Sequence, residues 1–123
     1  MQYMLMIAAD QMMEHFTAEE AASQYEEYRE FTEQLRRSGQ LVSCNRLKTP
    51  ADATTVRVRG GKAQVTDGPF LETKEQVGGY YVVEAKDLNE AIQIAARIPG
   101  ARYGCVEVRP VAVDDQTRAA LGF

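Results

Sequence analysis

The chain has no tryptophan, one histidine and only two cysteines among its 123 residues. Each scarcity closes off a class of chemistry. His15 stands alone, without a His-x-His partner, and Cys44 and Cys105 form no Cys-x-x-Cys pair. No metal site is therefore expected. Two cysteines in strand-like segments, behind no recognisable leader, read as reduced, packed thiols rather than a disulfide. No apolar run approaches the roughly 18 residues that span a bilayer. The apolar start Met1–Ala9 is interrupted by Gln2 and lacks a basic leader. A cytoplasmic protein with no membrane partner is expected. The net charge is −4, and the basic residues are scattered rather than blocked together. That balance argues against a nucleic-acid partner. Nucleotide-binding glycine motifs and the GxSxG elbow are missing too. No cofactor is expected.

What remains is the signature of one soluble domain. A chain of this length buries roughly two-thirds of its unfolded surface. Residues 2–9 are apolar on both alternating faces, as in a central strand covered on both sides. Thr17-Ala18-Glu19-Glu20 matches a capping box and opens a helix that runs to about Ser38. Ala21, Tyr25, Tyr28, Thr32 and Leu35, with Phe31 alongside, give it one apolar stripe. Gly39 stops it.

Leu41–Lys48 is a second strand, broken by Thr49-Pro50-Ala51-Asp52. Two alternating runs, 54–59 and 62–66, flank Gly60-Gly61 as a β-hairpin. Gly78–Ala85 is strongly strand-like, with Tyr80 and Val82 on one face and Tyr81 and Val83 on the other. Asp87 caps a second helix, whose apolar face is Leu88, Ala91, Ile92 and Ala95, extended by Ile98. Tyr103–Val113 is the last strand. A domain over 1–113 and a polar tail over 114–123, with one helical turn in it, are expected.

The order is β-α-β, a hairpin, then β-α-β. It predicts an α+β, ferredoxin-like (split βαβ) fold, with an antiparallel sheet and an inserted β-hairpin. Helices on one face leave the other face open, although strands 2–9 and 78–85 are apolar on both. A second copy packing sheet to sheet, as a homodimeric α/β barrel, is the economical cover.

The densest motif is Asp67-Gly68-Pro69-Phe70-Leu71-Glu72-Thr73-Lys74-Glu75. It joins a strand-end carboxylate, a Gly-Pro bend and two large apolar side chains, so the loop is expected to fold back on the body. The start MQYMLMI, the stretch DGPFLETKEQVGGYYVVEAKDLNEAIQIAARIP and the ending GCVEVRPV resemble the YCII-related family in its DGPF-motif branch. The resemblance covers Met1 to Val113. It implies a dimeric ferredoxin-like barrel and a bacterial protein of uncharacterised function. It also implies the company of extracytoplasmic-function sigma factors, although this chain carries no such domain. In the wider family a His and an Asp facing a pocket act as the proposed catalytic pair. Here they map to Asp67, within the signature motif, and His15, whose surroundings depart from the family's histidine motif.

Asp67 is either a turn carboxylate held by backbone N–H groups or a general base at a pocket rim. His15 is a solvated loop residue or a proton shuttle. Phe70 would contact a substrate. Tyr80 or Tyr81 is a packed aromatic or a hydroxyl donor to the same cavity. Arg109, on one face of the last strand with Glu107, is half of an ion pair or an anchor for an anionic substrate. Two functions follow. One is a small cofactor-free enzyme of lyase, isomerase or hydrolase type. The other is a non-catalytic, small-molecule-binding or regulatory dimer.

Overall fold

Tyr3, Leu5, Ile7 and Ala9 are buried, while the residues between them are half-buried. This period of two sets strand β1 (Gln2–Ala9) at the centre of the fold. The computed structural model describes residues 1–10, 16–112 and 114–122. His15 lies outside the described residues.

β1 is followed by α1 (Ala18–Arg37), β2 (Leu41–Arg46) and a 3₁₀ turn (Pro50–Asp52). Next come β3 (Thr54–Arg59), β4 (Lys62–Asp67), β5 (Gln76–Glu84) and α2 (Leu88–Ala96). A second 3₁₀ turn (Pro99–Arg102), β6 (Cys105–Pro110) and α3 (Asp115–Leu121) complete the order. The fold is α+β with antiparallel sheets. Four strands form one sheet in the order β2-β5-β1-β6. β5 is antiparallel to both β1 and β2, so β1 and β2 run parallel on either side of it. The units β1-α1-β2 and β5-α2-β6 interleave. Among the described residues the sheet does not close: β2 and β6 are its edges.

The helix starts follow their capping signals. The Glu20 N–H donates to Thr17 Oγ1 at 3.1 Å, and the Thr17 N–H to Glu20 Oε1 at 3.2 Å. Asp87 caps α2 by accepting the Glu90 N–H at 2.9 Å. The tail forms more than the single turn expected, because Asp114 caps seven residues of α3. α1 buries Gln24, Phe31 and Leu35, with Tyr28 packed against the same cluster. Tyr25, expected in the stripe, instead lies outside under the Arg46 guanidinium, 5.6 Å from its ring centre. α2 buries Ala91, Ile94 and Ala95, followed by Ile98. Leu88 and Ile92 are exposed, which turns the expected apolar face by part of a turn.

Both helices cover the Tyr3–Leu5–Ile7 face of the sheet, where Tyr81 and Val83 complete the core. Close approach at the end of β1 requires glycine. A Cβ on Gly104 would lie 2.0 Å from the Ala8 carbonyl oxygen. The opposite face carries Met4, Met6, Tyr80 and Val82, and no element covers it among the described residues.

The hairpin stands apart. Gly60 (φ 57°) and Gly61 (φ 75°) both take the left-handed conformation of a type I′ turn, which matches strand twist. β3 and β4 pair from Thr54 with Asp67 to Arg59 with Lys62, and among the described residues they join no strand of the larger sheet.

Candidate functional site

Chain geometry at the hairpin root shapes the loop that follows. Gly68 has φ 95°, a left-handed value that glycine reaches without strain. Its N–H donates to the Ala53 carbonyl at 2.8 Å, and its own carbonyl accepts the Thr55 hydroxyl at 2.7 Å. At the far end, Gln76 Nε2 donates to the carbonyls of Leu71 (3.1 Å) and Thr73 (2.8 Å). The loop is tied at both ends while its apolar tip stays out of the core. Phe70 is 71% exposed and Leu71 55%, so neither folds back as expected. The core was already filled by the helices.

These side chains instead wall a cleft of about 430 Å³, a volume within the range of small-molecule sites. Leu47, Pro50, Pro69 and Val77 supply further apolar wall, and Lys48, Asp52 and Glu75 add charge. Among the sequence-derived candidates that the structure describes, only Phe70 lines it. Asp67 is exposed and lies outside the lining, and its carboxylate has no hydrogen-bond partner among the described residues. Its carboxylate is therefore not held by the turn.

The other candidates sit elsewhere. Tyr80 is on the open sheet face, where its hydroxyl accepts Asn45 Nδ2 at 2.8 Å. Arg109 is exposed on β6 and donates through Nη2 to Glu107 Oε2 at 2.5 Å. Glu107 and Arg109 register opposite Met6 and Met4, and Met6 also registers opposite Tyr80, so these residues share the open face. Tyr81 points the other way, into the core. Its hydroxyl lies 2.6 Å from Thr32 Oγ1 and its ring meets Phe31 edge-on at 5.1 Å. Burial pushes its phenol up from the ordinary value. Tyr80 and Tyr81 thus cannot serve one cavity within a chain.

Desolvation, followed by the Glu75 carboxylate nearby, pushes the Cys105 thiol up, opposite to the shift that activates a nucleophile. Among the described residues no cluster of three or more His, Cys, Asp or Glu side chains is arranged to hold a metal. No helix there is long and apolar enough to cross a membrane. The sequence reading missed Leu47, Asp52 and Val77 as cleft walls. The break at Thr49-Pro50-Ala51-Asp52 marked a turn, but nothing local indicated that it would face the 67–75 loop.

An uncharacterized protein of Rhizobium meliloti (strain 1021) is 40% identical to this chain over 78 residues. The aligned part is 62% of this chain and 63% of the relative, so the match spans less than two thirds of the relative's length. The YCII-related domain matches residues 1–113, nearly the whole sequence. The chain belongs to the YCII-related domain family.

Proposed function

We propose that this is a non-catalytic, small-molecule-binding protein of the DGPF-motif branch, with a ferredoxin-like subunit that works as a homodimer. The observation that carries this is the placement of Phe70 and Leu71. Two large apolar side chains are held out of the core by a loop tied at both ends, and they wall an open cleft. An apolar cleft with a few charged groups at its edge fits a ligand with an apolar body. It offers little for turnover, because Asp67 is not in its lining. A sensor acting beside a sigma factor, as the family resemblance implies, needs only this binding step. The strand order β2-β5-β1-β6 supports the ferredoxin-like assignment. The uncovered Met4, Met6, Tyr80 and Val82 face supports a sheet-to-sheet dimer.

Fluorescence titration with 1-anilinonaphthalene-8-sulfonate tests the cleft. One saturable site per chain is expected, weakened at least tenfold in Phe70→Ser with an unchanged circular dichroism spectrum. Equal binding by that variant would remove the cleft from the proposal. Sedimentation at micromolar concentration tests the dimer, and a monomer there would sink it.

Asp67 supports a second reading. An exposed carboxylate with no hydrogen-bond partner among the described residues, one residue from the Gly-Pro bend, is free to act as a base. In a cofactor-free lyase, isomerase or hydrolase, Asp67→Asn would keep the fold and abolish turnover.

A further inference from the structure

The β3–β4 hairpin has two faces of different chemistry, neither satisfied among the described residues. Val56 pairs with Val65 and Val58 with Ala63, so these four share one face. The three valines are 60%, 60% and 64% exposed. Arg57 and Arg59 share the opposite face with Gln64 and Lys62. Among the described residues none of these three cations pairs with a carboxylate. A lone two-stranded hairpin is marginal in water, and exposed valines on one side of it call for a cover.

We propose that the cover is a second copy of this chain, with each hairpin lying as an arm over the cleft of its partner. Charge supports that occupant. Residues 54–66 hold three cations and no acid, in a chain of net charge −4. The rest of the chain is therefore more acidic than the total by three charges, and attracts the arm of another copy. Acids are dense around the cleft itself: Asp52 and Glu75 line it, and Glu72 follows Leu71. The apolar counterpart is there as well, in Phe70 and Leu71. Shape permits the reach. Six residues of strand extend about 20 Å. In a two-fold dimer the contact occurs twice, arm to cleft and cleft to arm. The ligand site proposed above is then roofed by the partner, and the monomer holds only an open half-site. This inference rests on the homodimer reading, but uses a different surface from the open sheet face.

The test mixes two chains, both in a Cys44→Ser, Cys105→Ser background. One carries Val58→Cys and the other Leu71→Cys, so any disulfide joining the two types must be intermolecular. Under mild oxidation a Val58→Cys–Leu71→Cys dimer should dominate over either self-pair. Sedimentation of Val56→Ser, Val58→Ser, Val65→Ser should show a dimer dissociation constant raised at least tenfold, with an unchanged body spectrum. Arg57→Glu, Arg59→Glu, Lys62→Glu should move the same way, and less so in high salt. A dimer that keeps its affinity in both triple variants and gives no mixed disulfide would overturn the arm while leaving the sheet-face dimer standing. A wild-type monomer would overturn both. Pelleting with phosphatidylglycerol vesicles, lost in the triple Glu variant while the dimer is unaffected, would assign the hairpin to a lipid surface and overturn the proposal.

Discussion

The Thr32 hydroxyl and the Tyr81 hydroxyl lie 2.6 Å apart, joining α1 to the middle of β5. Thr32 Oγ1 also donates to the Tyr28 carbonyl at 2.7 Å, so the Tyr81 hydroxyl is the donor in the pair. The bond settles a polar group inside an otherwise apolar contact between helix and sheet. Tyr81→Phe leaves the ring against Phe31 and removes only this bond. A loss of about 1 kcal/mol in urea unfolding is expected. A change below about 0.3 kcal/mol would mean that the bond has no net worth.

Tyr81 and Tyr28 give the protein a signature at high pH. Burial raises both phenols, at Tyr28 against partial relief from the Gly100 N–H. A raised folded value means that the folded chain holds the proton more tightly than the unfolded chain does. The stability this supplies is complete below the unfolded value of about 10 and is lost as pH rises through the folded one. Stability should therefore fall above pH 10, and Tyr81→Phe should shallow that fall. A variant that loses stability along the same slope would show that Tyr81 is not responsible.

Gly104→Ala tests the tight approach at the end of β1. The added Cβ would meet the Ala8 carbonyl oxygen at 2.0 Å and the Ala9 Cβ at 2.8 Å. Both atoms belong to the central strand, which cannot yield cheaply. Overpacking of this kind costs about 3 kcal/mol. Urea unfolding of the variant checks it, and a cost under about 1 kcal/mol would mean that β1 moves aside.

Much of the frame was legible because its signals are local. Thr17 with Glu20 and Asp87 with Glu90 each fix a helix start through one turn of backbone. Gly60-Gly61 fixes a hairpin through two dihedral angles. The alternation of Tyr80 and Tyr81 was also readable, since successive strand residues must face opposite ways. The cleft was not readable. Its walls come from 47–53 and 69–77, which meet only after the hairpin between them has folded out. The outward placement of Phe70 was equally hidden, because it depends on which side chains from distant helices and strands occupy the core.

The phase of α2 shows the same limit inside a single helix, and a pair of substitutions measures it. Leu88, Ala91, Ile92, Ile94, Ala95 and Ile98 are all apolar, so more than one stripe satisfies helical spacing. Packing against the sheet chooses the stripe that includes Ile94, 2% exposed, and leaves Ile92 at 49%. Ile94→Ala removes buried methylenes and leaves a cavity, at a cost of about 2–5 kcal/mol. Ile92→Ala makes the same chemical change on the half-exposed side. There the gain in helix propensity opposes the loss of partial burial, and the net effect should stay within about 1 kcal/mol. Urea unfolding of both variants at one pH decides between the two phases. Equal costs, or a larger cost at Ile92, would mean that α2 is rotated or that its Ile92 face is covered in solution.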